Sequence, residues 1–256
     1  MQSPVVIVTG ASKGIGRSVA TILLKQYNAR VVAVARSKDQ LEKLREEAAT
    51  HQKGDDLQIV VGDVTDENIV KQSVKAAVDK WGQLDGVVAN AGVLEPVATV
   101  AEGLVEDWKR RLFEVNVFSV IRLVQEALPL LRQSKGSIIM VSSGAASKGY
   151  RAWGAYGSSK AALNHLASTL SVEEPDVTTI ALRPGVVDTE MQGLLRAIGK
   201  DAMKDDYQKF VTLHETGQLV HPDQPGRVIA SLATHHQPQF SGQFLSWDDE
   251  VLKNVA

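Results

Sequence analysis

Tyr156 and Lys160 stand four residues apart in the segment Trp153-Gly-Ala-Tyr-Gly-Ser-Ser-Lys160, and Ser143 lies thirteen residues before the tyrosine. A spacing of four puts two side chains on one face of a helix, one turn apart. A free phenol has a pKa of about 10. A fixed ammonium beside it stabilises the phenolate, so the expectation is a phenol lowered toward neutral pH, fit for acid/base work. Ser143 offers the second hydroxyl donor that a reacting carbonyl oxygen needs. The same spacing also occurs in amphipathic helices that do no chemistry, so the elements around the pair have to decide its meaning.

Those elements alternate. Short β-branched runs at 5–9, 30–35, 57–61, 84–89, 137–141, 177–182 and 243–246 predict strands. Helical patterns follow them at 14–26, 38–50, 66–81, in a long stretch ending near 131, and at 155–172 and 224–234. The strand runs are nearly continuous in apolar character, which predicts strands buried on both faces of a parallel sheet. The expected architecture is one α/β Rossmann-like doubly wound domain over 1–256, with about seven parallel strands and helices on both faces. One stretch breaks the rhythm. Residues 185–219 read as a long irregular segment, expected to be a substrate lid that closes over the site.

Composition narrows the function classes. The chain has 256 residues, 44% of them hydrophobic, enough for one large core. Lys plus Arg number 28 against 30 for Asp plus Glu, a net charge of -2 that argues against a nucleic-acid or acidic-membrane partner. The absence of cysteine removes disulfides, thiolate nucleophiles and cysteine metal sites. His235 and His236 are adjacent, with no metal-binding helix spacing, so no metal is expected. No apolar run approaches the ~18 residues of a membrane span. The first eight residues lack a secretory pattern and the last four form no retention address, so the expectation is a cytoplasmic protein.

Between the first strand and its helix lies Thr9-Gly-Ala-Ser-Lys-Gly-Ile-Gly16. Gly10, Ser12, Lys13, Gly14, Ile15 and Gly16 would give a tight turn and a helix N-terminus open to a pyrophosphate. About 20 residues past such a loop, NAD-binding domains carry a carboxylate for the ribose 2′-hydroxyl. Here that place holds Arg36, followed by Ser37. A guanidinium pairs with a 2′-phosphate, so the expected cofactor is NADP(H) rather than NAD(H).

With these residues in place the chain resembles the short-chain dehydrogenase/reductase family, over about 5–247. Besides the glycine loop, Asp63-Val64 resembles the pair whose aspartate holds the adenine amino group, and Asn90-Ala91-Gly92 the motif after the fourth strand. Asn116 matches the family's catalytic asparagine, and Ser143, Tyr156 and Lys160 its serine, tyrosine and lysine. Pro184-Gly185-Val-Val187-Asp-Thr189 resembles the segment cradling the nicotinamide, with Val187 and Thr189 near the carboxamide. The thirteen-residue interval selects Ser143 over Ser142. Residues 88–97 and 153–165 look especially like fungal benzil-reductase-type enzymes, similar in turn to sepiapterin reductases.

The resemblance implies a carbonyl reductase that takes bulky hydrophobic ketones or 1,2-diketones to hydroxyketones. Tyr156 would deliver the proton, Ser143 hold the oxygen and Lys160 tune the phenol while bonding the nicotinamide ribose. Asn116 would hold a relay water. Expected substrate walls are Leu94, Trp153, Met191 and Leu194, with Val93, Glu95, Leu195 and Phe210 as further candidates. Asp248 and Asp249 are solvated carboxylates or, in a sepiapterin-type site, an acidic anchor. The partners expected are a small-molecule carbonyl and, for the chain itself, either a monomer or a homodimer paired through 108–131 and 155–172. A sugar-nucleotide epimerase uses the same Tyr-x-x-x-Lys but a different glycine pattern. A non-catalytic NADP-binding sensor would have no need of Ser143, Tyr156 and Lys160.

Overall fold

The computed structural model describes residues 3–255. Met1, Gln2 and Ala256, on which the expectations about the two termini partly fall, lie outside the described residues.

Seven strands form one sheet, β1 (Val5–Thr9), β2 (Arg30–Ala35), β3 (Leu57–Val61), β4 (Gly86–Ala89), β5 (Ser137–Val141), β6 (Thr178–Arg183) and β7 (Phe244–Ser246). The spatial order is β3-β2-β1-β4-β5-β6-β7, and every pairing is parallel. The sequence order of the strands reverses direction between β1 and β4, and at that point the crevice outside the strand ends binds ligands in sheets of this kind.

Strand period sorts the apolar residues onto two faces. Val6 and Val8 join one core with Val31 and Ala33, under the helices Gly14–Gln26, Lys38–Thr50 and Asp223–Thr234. Val5 and Ile7 join the other with Val32 and Val34, under Glu67–Trp81, Ser119–Ser134 and Gly154–Glu173. All five side chains of β1 are buried, which explains why no polar residue interrupts its apolar run before Thr9. Among the described residues no helix is long and apolar enough to cross a membrane.

Two sequence expectations need correction. The stretch leading to 131 is not one regular helix. Trp108–Phe118 is wound as a π-helix before Ser119–Ser134 continues as an α-helix. The wider turns belong with Asn116, whose side chain is fully buried and bonded to Val93 and Ser159 instead of facing along a 3.6-residue stripe. The segment 185–219 is not irregular either. It folds into the helices Glu190–Ile198, Lys200–Met203 and Asp205–Glu215. Leu195, Met203 and Phe210, one from each helix, are buried in a third apolar cluster with Trp153 and Tyr156, above the strand ends. Short helices of this length carry too few turns for their periodicity to stand out.

Candidate functional site

A cleft of about 930 Å³ opens at the C-terminal ends of the strands. One wall is the turn after β1, and its geometry explains the glycines. Gly10 has φ +68°, a conformation that L side chains rarely adopt. A Cβ on Gly16 would stand 2.4 Å from the Gly10 carbonyl oxygen and 2.5 Å from Asn90 Nδ2, so only glycine lets the helix start this close to the turn. Gly16 therefore closes the turn from behind. Gly10, Ser12, Lys13, Gly14 and Ile15 face the cleft, and Gly16 does not. The helix Gly14–Gln26 has no acidic residue in its first turn, which leaves its N-terminus favourable to an anion.

The motif after β4 braces that turn. Asn90 Nδ2 donates to Thr9 O at 2.9 Å, and the backbone N–H groups of Asn90 and Ala91 both donate to Thr9 Oγ1 at 3.1 Å. Gly10-to-Gly16 and Asn90-to-Gly92, distant in sequence, thus act as one bonded unit across the β1–β4 switch point. At the end of β2, Arg36 lines the cleft with its side chain 74% exposed, and its guanidinium lies 3.8 Å from Asp63. Ser37 makes no capping bond to its own helix, leaving its hydroxyl open toward the cleft. Asp63 accepts from Thr65 N and Thr65 Oγ1, which fixes its carboxylate at the rim beside Val64. Lys13 is not free: its ammonium pairs with Glu190, at the start of the helix Glu190–Ile198.

The other wall carries the residues expected to do the chemistry. Tyr156 and Lys160 lie on the helix Gly154–Glu173, and Ser143 follows β5. All three line the cleft, together with Ala91, Gly92, Pro184, Gly185, Val187 and Thr189. Burial pushes the Tyr156 phenol above its ordinary value, and the Ser143 hydroxyl beside it pulls the other way. The expected lowering by Lys160 is therefore not what this packing produces. Desolvation of the buried phenol is the larger effect. The Lys160 ammonium donates to Val141 O at 2.8 Å and sits 5.8 Å from the Tyr156 ring centroid. Burial lowers Lys160 itself to about 8.

Asn116 stands behind this wall rather than in it. Oδ1 accepts from Val93 N at 2.8 Å, and Nδ2 donates to Val93 O at 2.9 Å and Ser159 Oγ at 3.1 Å. Its side-chain amide is committed to pinning the chain after Gly92. Ser142 also lines the cleft, but its hydroxyl is occupied, donating to Asn164 Oδ1 at 2.6 Å, whereas the Ser143 hydroxyl stands beside the Tyr156 phenol.

Leu94, Trp153 and Met191 line the cleft, as do Val93, Leu195 and Phe210. Leu194 does not. It lies 36% exposed on the outer face of its helix, and the next residue, Leu195, is the one that points in. Glu95 does not line the cleft, and the carboxylates of Asp248 and Asp249 accept from Ser246 instead of reaching the site. Sequence reasoning missed Lys148, Tyr150, Arg183 and Lys209, all of which line the cleft. Tyr150 sits six residues before Tyr156, but nothing in its spacing marks it, because a loop rather than a helix carries it inward. Among the described residues no three His, Asp or Glu side chains gather as a metal centre requires.

The cleft thus joins a glycine cradle with an anion-ready helix start to a hydroxyl pair beside a buried ammonium. Residues 4–198 match the model of the short chain dehydrogenase family. The chain is 40% identical to a benzil reductase ((S)-benzoin forming) of Saccharomyces cerevisiae, over 98% of both chains. It is 44% identical to a short chain dehydrogenase/reductase of Saccharomyces cerevisiae in a crystal structure that superimposes with a TM-score of 0.93, covering 99% of each chain. It also resembles a short chain dehydrogenase of Shigella flexneri solved in complex with NADP, at 26% identity and a TM-score of 0.80, covering 97% of this chain and 98% of that one. From sheet order to cleft, the chain belongs to the short-chain dehydrogenase/reductase family and is an oxidoreductase of that type.

Proposed function

We propose that the protein is an NADPH-dependent carbonyl reductase acting on bulky hydrophobic ketones, with 1,2-diketones such as benzil as the leading class. The observation that carries this reading is the convergence of Ser143, Tyr156 and Lys160 on the cleft that also holds the glycine turn. The glycine cradle fits a dinucleotide: its tight turn admits no Cβ at Gly16, and its helix start offers free N–H groups to a pyrophosphate. Gly10 to Ile15 would bind the pyrophosphate and Arg36 with Ser37 the 2′-phosphate. Asp63 and Val64 would bind the adenine, and Asn90 to Gly92 the adjoining ribose. Pro184, Gly185, Val187 and Thr189 would hold the nicotinamide. The relative solved with NADP supports the cofactor type.

When bound, the nicotinamide supplies the hydride. Every other task falls to the chain. Tyr156, kept protonated by its burial, donates its proton to the oxygen of the reduced carbonyl. Ser143 donates a second hydrogen bond to that oxygen, stabilising charge that develops mainly in the transition state. Lys160, held by Val141 O with its ammonium 5.8 Å from the Tyr156 ring centroid, would stabilise the phenolate formed as that proton leaves and would bond the nicotinamide ribose. Trp153 packs edge-on to Tyr156, with ring centroids 5.5 Å apart, and limits where an aryl group can lie. The three helices of residues 190–215 act as the lid that excludes water. The 40% identity to a benzil reductase supports the diketone class. A relative of Saccharomyces cerevisiae at 42% identity, described as a cytoplasmic protein, supports a cytoplasmic location.

The test is NADPH oxidation over a panel of diketones, pterin-like ketones, steroids and aliphatic ketones, repeated with NADH. The expected result is turnover of benzil with NADPH at a kcat/KM well above that with NADH. Binding of NADPH with no turnover across the panel would overturn the reading in favour of a cofactor sensor.

A further inference from the structure

The charge inside the cleft does not balance, and the imbalance is local. Asp63 and Glu190 are the two acidic side chains that line it among the described residues. Each faces a cation of the cofactor half, Asp63 with Arg36 and Glu190 with Lys13. At the opposite end, Lys148 and Lys209 line the cleft with no carboxylate partner among the described residues, and Arg183, at the end of β6, is a further lining cation without one. Both lysines are held over one ring. Lys148 Nζ lies 5.4 Å and Lys209 Nζ 5.1 Å from the centroid of Tyr150, and Lys209 also donates to Tyr150 Oη at 2.9 Å. Cation–π contacts and this hydrogen bond give two flexible side chains preferred positions at the mouth. From there inward the path is aromatic: Tyr150 lies 5.1 Å from Trp153, and Trp153 5.5 Å from Tyr156, ring centre to ring centre.

We infer that this end of the cleft is a carboxylate subsite, selecting aryl ketones that carry an anionic group at the end of the ring remote from the reacting carbonyl. The inference rests on the proposed reductase reading and sharpens its substrate class. An aryl ring lying along Trp153 separates the carbonyl at Tyr156 from the ammonium groups at Tyr150. A neutral diketone fills the apolar part of the cleft and leaves both ammonium groups to solvent. A carboxylate at the far end of the ring gains charge-assisted hydrogen bonds from them.

Three ketones separate the possibilities: benzil, 4-carboxybenzil and the methyl ester of 4-carboxybenzil, each assayed with NADPH at low and high salt. The expected result is a kcat/KM for the acid at least about tenfold above that for its ester, carried by KM and shrinking at 0.5 M salt as exposed charges are screened. In Lys148→Gln/Lys209→Gln the acid-to-ester ratio should fall to near one. Equal values for acid and ester in the unaltered protein, with benzil turned over, would overturn the subsite while leaving the reductase reading intact. If none of the three is reduced, that reading fails, and calorimetric binding of 4-benzoylbenzoate against benzophenone to the NADP-loaded protein still decides the subsite. Tighter binding of the acid that is lost in the double variant supports it, and equal binding rejects it.

Discussion

The two ends of the cleft are built on opposite principles. The cofactor end is made of backbone: a turn whose glycines leave no room for a side chain, locked to the next motif by the bonds from Asn90 and Ala91 to Thr9. The substrate end is made of side chains: Trp153, Tyr150 and Phe210 in mutual ring contact, covered by short helices whose Leu195, Met203 and Phe210 join the apolar cluster of Trp153 and Tyr156. A backbone cradle tolerates almost no change and fixes one ligand. A side-chain wall can be repacked without touching the fold, so the specificity of this protein is expected to reside there.

The largest effect expected comes from the boundary between the two ends. Replacing Tyr156 with Phe removes the proposed proton donor and should lower kcat by about 10²- to 10⁴-fold, with little change in NADPH binding measured by fluorescence titration. Ser143→Ala removes one donor to the developing oxyanion and should cost about 10²-fold in kcat. A comparable loss of NADPH binding in either variant would break the separation drawn here between binding and chemistry.

Inside the cofactor end, Arg36→Asp tests how much of the selectivity is charge. Removing the guanidinium and adding a carboxylate should lower the NADPH-over-NADH ratio of kcat/KM by about 10² or more, because a charged hydrogen bond contributes about 1.5–3 kcal/mol and the new carboxylate repels the 2′-phosphate. An unchanged ratio would mean that the backbone cradle, not Arg36, selects the cofactor.

Lys160 links chemistry to stability. Its pKa falls from 10.5 to about 8 on folding through burial. Between those values the unfolded chain holds a proton that the folded chain has released. Stability relative to Lys160→Met should therefore rise with pH from about 8 to 10.5, by up to about 3 kcal/mol at roughly 1.4 kcal/mol per pKa unit. Below pH 8 the buried ammonium is a cost to the fold that the catalytic site bears. Paired urea melts across pH 7 to 10.5 measure the difference, and a flat difference would show that Val141 O compensates the charge completely. A smaller, positional effect is expected for Asn116→Ala. Leaving the Val93 backbone pair without its partner should cost about 1–3 kcal/mol in the same melts and weaken turnover through misplacement of Gly92 and Val93.

The difference between the ends also explains what the sequence made legible. The strands and the glycine turn could be read because their constraints are local: a buried parallel strand demands an apolar run, and a Cβ-free turn demands glycine at given steps. Arg36 was readable for the same reason, standing at a fixed interval from that turn. Leu195 in place of Leu194 was not, because one residue of phase on a nine-residue helix is set by what the helix packs against. Tyr150, Lys148 and Lys209 come from two separate segments, so no spacing announces their meeting. The upward shift of Tyr156 was missed because proximity to Lys160 is visible in sequence, whereas burial by Trp153 and Leu195 exists only once the lid helices fold back.

The most direct test of the reductase account is a single-turnover measurement with benzil and NADPH, following loss of nicotinamide absorbance in the unaltered protein and in Tyr156→Phe. The expected result is rapid oxidation of one equivalent by the former and a rate at least about 10²-fold slower in the latter, with NADPH bound equally by both. Equal rates in the two proteins would contradict the assignment of Tyr156 as proton donor and, with it, the account of the cleft as a hydride-transfer site organised around that residue.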